Sequence, residues 1–311
     1  MKIKSILALF ALLAIFVSGS LVSAAEVFTI AADSSSGTYN KALGEIINVC
    51  GSDEFTIVPA KDVSGGAIGN LDALFNNKAM GAFLHSDVFT ANSMADPSYN
   101  SLKTLISLWP EPIHVLALKV SKTKKLGRFE FGVQDFASLS DMKNFKIGAA
   151  GGGVISARLL QGQGQGGFMV NAYNSGDDLM KALDGGEIAA AIFVGTAPLP
   201  NLEKLDKNTY KLLPIGGEIV DRLKSVYKPT NINYVGLSNG PVATLAPWAT
   251  IMTRKYSTES KISAQRHFRE CFFSKLGELQ DNASRNWQQV SATDQGVLNN
   301  WYEIPTPPAG K

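Results

Sequence analysis

The chain has 311 residues, of which 45% are hydrophobic and 18% are charged, values typical of a globular protein with a substantial core. It carries 29 basic and 27 acidic residues, and setting aside the first 25 residues with their two lysines leaves 27 of each. A net charge near zero argues against a nucleic-acid partner or binding to an anionic membrane surface.

Residues 1–25 have the features of a secretory signal peptide. Two lysines precede an apolar run at Ile6–Val17, and small residues end at Ala24 and Ala25, where cleavage is expected. The run is about a dozen residues, shorter than the ~20 that a membrane-spanning helix needs. No cysteine follows the cleavage site, so no lipid anchor is predicted. We therefore expect a periplasmic, monomeric protein.

The rest of the chain alternates between strand and helix patterns, which is typical of an α/β fold. The first series of predicted strands lies at 27–31, 55–59, 80–84, 102–108 and 114–118, with helices at 37–49, 66–76 and 87–95. The second series has strands at 144–149, 168–172, 188–194 and 210–215, with helices at 153–161, 176–184, 199–205 and 218–227. Strand-like segments at 231–237 and 244–254 and a mostly helical tail at 261–302 complete the prediction.

Two series of this kind predict a two-lobed clamshell, in which each lobe is a mixed sheet flanked by helices. We assign 26–117 with 235–311 to one lobe and 118–234 to the other, with crossings near Leu116–Lys119 and Asn231–Gly236. A ligand would then bind where the carboxyl ends of the strands of both lobes face each other.

Four turns between a predicted strand and a predicted helix are rich in Ser, Thr and Gly. Helix N-termini carry roughly +0.5 of a charge and bind anions through free N–H groups, although the same residues also serve as ordinary helix caps. Four such turns at matching places favour a shared carboxylate-binding cleft. Candidate ligand-binding residues are Ser36, Thr38, Tyr39, Ser64, Gly65, Gly66, Ser86, Asp87, Gly152, Gly153 and Ser156. Tyr39 or Phe193 is expected to close over the apolar part of the ligand.

The cysteines and histidines indicate neither a metal site nor a cofactor. Cys50 and Cys271 form either a disulfide, which export would allow, or two free thiols. The three histidines, His85, His114 and His267, are scattered and show no zinc-binding spacing. A lone histidine is more often a packed residue than a catalyst, so no catalytic residue is assigned.

The segment at 236–240 matches the Gly-x-Ser-x-Gly pattern of serine hydrolases, with Ser238 at its centre. That motif needs a helix directly after the serine, but Pro241 and a strand-like run follow. His267 is the only later histidine. A secreted hydrolase is therefore a minor alternative, and we expect the protein not to be an enzyme.

Several motifs resemble the TAXI family of extracytoplasmic solute receptors, which serve TRAP-type secondary transporters. The matching sequences are Ser-Gly-Thr-Tyr at 36–39, Ser-Gly-Gly-Ala-Ile-Gly-Asn-Leu at 64–71, Ser-Asp-Val at 86–88, Leu-Trp-Pro-Glu-Pro-Ile-His-Val at 108–115, Lys-Ile-Gly at 146–148 with the glycines at 151–153, and Val-Ala-Thr-Leu at 242–245.

This resemblance implies a type II periplasmic binding fold that closes on a small organic acid, such as a glutamate-like amino acid or a related carboxylate. It also implies a TRAP-type permease in the inner membrane as partner. A receptor that presents its ligand to a signalling protein is an alternative that the sequence leaves open.

Overall fold

The computed structural model of the chain describes residues 26–32, 37–52, 54–120, 135–293, 295–298 and 300–306. The predicted signal peptide and Ser36 lie outside these residues. No helix in the described ranges is long and apolar enough to cross a membrane.

Lobe 1 is built on a five-stranded sheet in which a strand from late in the chain lies between two early ones. Its strands are β1 (Glu26–Ala31), β2 (Phe55–Pro59), β3 (Gly81–His85), β4 (Leu102–Pro110) and β12 (Trp248–Arg254), in the order β2-β1-β3-β12-β4. Strand β1 is parallel to β2 and β3, and β12 is antiparallel to β3 and β4. Three helices follow the first three strands: α1 (Thr38–Cys50), α2 (Gly66–Phe75) and α3 (Ser86–Ala95).

Lobe 2 repeats this order with its own strands. They are β5 (Ile113–Leu118), β6 (Lys146–Ala150), β7 (Met169–Tyr173), β8 (Ala190–Val194) and β9 (Tyr210–Leu213), in the order β7-β6-β8-β5-β9. Strand β5 is antiparallel to its neighbours, as β12 is in lobe 1. The lobe also contains the helices α4 (Gly153–Gly162), α5 (Gly176–Asp184), α6 (Pro200–Glu203) and α7 (Glu218–Leu223), and an antiparallel ribbon of β10 (Lys228–Ile232) and β11 (Val242–Ala246).

The predicted fold class is confirmed: the protein is α/β, with two mixed sheets flanked by helices. The predicted crossings are wrong, because 116–118 lies in the sheet of lobe 2 and β10 pairs with β11. The chain instead passes between the sheets at 110–113 and again at 246–248. The two passages touch, since the Glu111 N–H donates a hydrogen bond to the Pro247 carbonyl at 2.8 Å. The lobe limits predicted at 117–118 and 234–235 do not coincide with these passages, because β5 and β11 pack with lobe 2.

The tail after β12 packs on lobe 1 and contains α8 (Glu259–Ser274) and α9 (Leu276–Asn282). Phe268 of α8 stacks on Phe28 of β1 with a centroid distance of 4.6 Å. Helix was predicted as far as 302, but beyond α9 the described residues form short 3-10 turns and a bridge to β4. Trp287, on one of these turns, is fully buried and donates to the Glu45 carboxylate at 2.7 Å.

Two further features fasten the tail to lobe 1. Cys50 at the end of α1 is bonded to Cys271 of α8, which is the disulfide alternative left open by the sequence. The edge of β4 is covered at Thr104, whose N–H donates to the Asn300 carbonyl and whose carbonyl accepts from the Tyr302 N–H, each at 3.0 Å. The tail therefore shields a sheet edge that would otherwise be open for pairing.

Candidate functional site

The candidate site is a buried polar cluster where the two lobes meet. It lies at the N-terminal ends of α1, α3 and α4 and next to the first passage between the lobes. Its ionisable members are His85, Asp87 and Glu111, all less than 10% exposed. Buried charged groups are costly unless they are paired, so their partners decide what the cluster can do.

Glu111 is the centre of the lobe 1 half of the cluster. Its Oε2 accepts a hydrogen bond from the Tyr39 hydroxyl at 2.6 Å and lies 2.7 Å from His85 Nε2. Its Oε1 lies 3.4 Å from Trp109 Nε1. Burial alone would raise the pKa of Glu111, but the charge of His85 and these hydrogen bonds lower it overall. Glu111 is therefore ionised near neutral pH and holds the His85 ring in place.

His85 is poised to be a cation. Burial acts to lower its pKa, but the nearby carboxylates of Glu111 and Asp87 outweigh burial and raise the pKa overall. Its Nδ1 is buried and has no hydrogen-bond partner among the described residues. A protonated ring would present this Nδ1–H as a free donor.

Asp87, at the start of α3, connects the lobes. Its Oδ2 accepts from the Ser156 hydroxyl of α4 at 2.5 Å and from the Tyr227 hydroxyl at 2.9 Å, both in lobe 2. Burial raises the pKa of Asp87, and the effect exceeds the opposing influence of His85 and of the hydrogen bonds. Its Oδ1 has no partner in the described part of the chain and lies 3.9 Å from His85 Nδ1. These two atoms of lobe 1, each without a hydrogen-bond partner in the described ranges, thus lie near each other where the lobes meet.

The glycine turn before α4 adjoins the His85 ring. A Cβ built on Gly152 would lie 3.1 Å from His85 Cε1 and 3.7 Å from Ala67 Cβ on α2. The absence of a side chain at Gly152 therefore lets the two lobes approach closely. The first turn of α2 and the turn that opens α4 therefore lie close together here.

The structure brings only some of the predicted site residues into the cluster. Tyr39, Asp87, Gly152 and Ser156 lie in it, whereas Thr38, Ser64 and Gly65 are exposed beside it. The other predicted residues lie around the cluster or in the lobes. Gly66 begins α2, and the Ser86 Oγ accepts from the Trp248 N–H. Gly153 lies against Ile192, and Phe193 packs against the core of lobe 2. A ligand contact at any of these positions stays a prediction.

The sequence analysis assigned none of His85, Glu111 and Tyr227 as a ligand-binding residue. Glu111 did carry a signal, since an acidic residue between two prolines at the end of an apolar strand is unusual. Tyr227 follows a short helix in lobe 2 and carries no pattern that would distinguish it from a core tyrosine.

The remaining histidines have structural partners. His114 is fully buried and its Nε2 lies 2.8 Å from the Tyr234 hydroxyl. Burial lowers the pKa of His114 to about 4, so it is neutral. His267 stacks on Phe55 and lies 3.6 Å from Glu26. No group of three or more potential metal-ligating residues was found in the described ranges.

The hydrolase alternative finds no support at Ser238. Its hydroxyl donates to the carbonyl of Gly240 at 2.6 Å, within its own turn. His267, the only histidine in the order the motif requires, belongs to the lobe 1 tail. The described residues therefore do not pair this serine with a general base.

The two sheets and the polar cluster where the lobes meet make the junction of the lobes the candidate site. A model of the NMT1-like family matches residues 30–264, which is most of the chain, and the chain belongs to that family.

Several solved structures resemble the chain as a whole. An ancestral arginine-binding protein bound to arginine is 11% identical, with 90% of this chain and 100% of that chain covered and a TM-score of 0.49. An arginine third transport system periplasmic binding protein from Legionella pneumophila is 13% identical, with coverages of 85% and 99% and a TM-score of 0.47. The second substrate-binding domain of GlnP from Lactococcus lactis is 11% identical, with coverages of 86% and 97% and a TM-score of 0.41. Such low identities give no basis for residue-by-residue comparison.

Proposed function

We propose that the protein is an extracytoplasmic solute-binding protein that captures a small organic acid or amino acid between its lobes and delivers it to a membrane transporter. The observation that carries this proposal is the pair of buried, unpaired atoms, His85 Nδ1 and Asp87 Oδ1, in the cluster that joins the lobes. Unpaired buried polar atoms are costly, and ligand groups that bond to each of them would supply the missing hydrogen bonds.

The chemistry of these two atoms fits a ligand with a carboxylate and a hydrogen-bond donor. The Nδ1–H of a protonated His85 would bind the carboxylate, and Asp87 Oδ1 would accept from an ammonium or hydroxyl group. Backbone N–H groups at the start of α4 would add to the binding of the carboxylate. No covalent step is needed, so the proposal involves no catalysis and no cofactor.

The proposed partner is a TRAP-type permease. The TAXI resemblance of the sequence motifs implies a TRAP-type permease, which would receive the ligand from the closed protein outside the cytoplasmic membrane. The signal-like sequence at 1–25 supports the same location.

A thermal-shift screen of the purified protein against amino acids, dicarboxylates and other small acids tests the proposal. A ligand at 100 times its Kd adds about 2.7 kcal/mol, which shifts the melting temperature by several degrees. The protein is first unfolded and refolded to remove any ligand retained from expression. If the refolded protein then gives no shift with any acid, the proposal is contradicted.

Variants of the cleft then test its position. Gly152→Val would place side-chain atoms against the His85 ring and should weaken binding of the acid that gives a shift. Ser64→Ala should weaken it by removing a hydroxyl just before α2. Ser238→Ala is the matched control, because this hydroxyl is bonded within its own turn. Unchanged affinity in both cleft variants would show that the ligand binds elsewhere.

A further inference from the structure

A cavity lies between the lobes along α3, and Ser86, the residue between His85 and Asp87, is part of its lining. Its volume is about 640 Å³, within the range of small-molecule sites, and its lining includes neither His85 nor Asp87. Thr90 and Lys103 line it from lobe 1, Gln163 and Ser225 from lobe 2, and Asn300 from the tail. Three parts of the chain that are remote in sequence therefore build this space.

The polar lining of the cavity favours an anion. Lys103 is the only ionisable residue among those that line it, and no ion pair to its ammonium group is formed within the described residues. Asn300 uses its Oδ1 to accept from Thr104, while its Nδ2 is buried and has no partner in the described ranges. The described residues that line the cavity thus include a cation and an amide donor without a partner, and no carboxylate is among them.

The apolar lining favours an organic ligand over a bare oxyanion. Phe89, Met252 and Leu298 line the same space and are at most partly exposed. Burying an alkyl group against these side chains would add binding energy in proportion to the apolar area removed from water. A ligand with a charged head and an apolar body matches both halves of the lining.

We propose that this cavity is a second binding site, which takes a small organic carboxylate through Lys103 and Asn300 and its apolar body through the three apolar side chains. The proposal does not depend on the identity of the cleft ligand. It gives the tail a role in binding, in addition to covering the edge of β4.

Calorimetric titration with hexanoate, at constant ionic strength, is the primary test. We expect saturable binding to the purified protein, weakened about tenfold or more in Lys103→Met, because a charge-assisted hydrogen bond is lost. Lys78→Met is the matched control: this lysine of lobe 1 is exposed and forms no ion pair in the described part of the chain. Equal weakening in both variants, or in neither, would overturn the proposal.

A second variant separates a binding role from a folding role. Asn300→Asp keeps the oxygen that accepts from Thr104 but replaces the free amide with a negative charge. The buried carboxylate will cost some stability, so the titration is made well below the melting temperature of the variant, where hexanoate binding should be abolished. Hexanoate binding that survives in Asn300→Asp would count against the site.

Two further titrations test the chemical class of the ligand and the location of its binding site. Inorganic phosphate should bind much more weakly than hexanoate, and equal affinity would refute the organic carboxylate. Gly152→Val should leave hexanoate binding intact, whereas loss of binding in this variant would place hexanoate in the cleft and overturn the second site. Binding of hexanoate is measured directly, so these results do not depend on whether the thermal-shift screen identifies a ligand of the cleft.

Discussion

The two lobes share one strand order but differ in what surrounds it. Lobe 1 has the disulfide, the helical tail and a covered sheet edge, whereas both cysteines of the chain lie outside lobe 2 and the edge strand β7 is partly exposed. The two lobes also contribute different kinds of residue to the polar cluster between them. His85, Asp87 and Glu111 belong to lobe 1 or the first passage, and lobe 2 adds the hydroxyls of Ser156 and Tyr227. The reinforced lobe thus holds the charges, and the other lobe supplies neutral donors.

The largest effect is expected from removing the central aromatic residue of the tail. Trp287→Ala should lower the free energy of unfolding by about 3–5 kcal/mol, because a fully buried indole and its bond to Glu45 are lost. Hydrogen exchange followed by mass spectrometry should show the loss of protection in lobe 1. Trp301→Ala, at a partly exposed position of the same tail, should cost much less. Equal loss of protection in lobe 2 would contradict a selective reinforcement of lobe 1.

Breaking the disulfide should have the next largest effect. Cys50→Ala with Cys271→Ala should cost about 2–4 kcal/mol in denaturant unfolding, since the bond closes a long loop in the unfolded chain. The oxidised parent treated with reductant should shift by a similar amount, and reductant should not affect the double variant. A parent that is insensitive to reductant would show that the bond is absent from the protein in solution.

The charged half of the cluster predicts a pH window. The raised pKa of His85 gives stability that is complete below about pH 6.5 and lost as the pH rises through the raised value. The lowered pKa of Glu111 gives stability that is complete above about pH 4.5 and lost as the pH falls through the lowered value. Glu111→Gln should therefore cost about 1.5–3 kcal/mol near pH 6, and less toward pH 9.

Urea unfolding of the parent and Glu111→Gln from about pH 4 to 9 measures this difference. The raised pKa of Asp87 means that ionising Asp87 costs stability in both proteins, so its effect largely cancels in the comparison. Glu278→Gln, at a half-exposed pair with Lys275, should give a small and flat difference. A cost of Glu111→Gln that does not change with pH would rule out a charged pair with His85.

The smallest change in free energy is expected from removing one of the neutral hydrogen-bond donors of lobe 2. Ser156→Ala removes one of the two hydrogen bonds to Asp87 between the lobes, worth about 0.5–1.5 kcal/mol. The ratio of open to closed molecules without ligand should rise about two- to tenfold. Distances between spin labels on the two lobes would report the change, with Ser238→Ala as a control. An unchanged distance distribution would mean that Ser156 does not help to hold the lobes together.

Much of the fold followed from the sequence because hydrophobic periodicity is local. The stripe of Leu43 and Ile46 predicted α1, and both residues are buried in the core of lobe 1. The segment at 244–254 was predicted as one strand, but Pro247 divides it into β11 and β12, which belong to different sheets. Local patterns cannot report such a change of sheet, because it depends on which strands pair.

The site was less predictable than the fold. Strand-to-helix turns indicated Asp87, Gly152 and Ser156, since small and polar residues at helix starts have a local signature. The pairing of His85 with Glu111 depends on the end of β3 and the first passage meeting in space. The turn pattern also pointed to Ser64, which lies exposed beside the cluster, because helix capping and ligand binding use the same residues.

The late position of β12 in the chain has a consequence for biosynthesis. This strand lies between β3 and β4 in the middle of the lobe 1 sheet, yet it follows every strand of lobe 2. As the polypeptide emerges, residues 113–246 are complete as a continuous segment before the sheet of lobe 1 can be filled. The lobe that begins the chain is thus the last to mature, and the nascent protein must keep the partners of β12 soluble until residue 254 arrives.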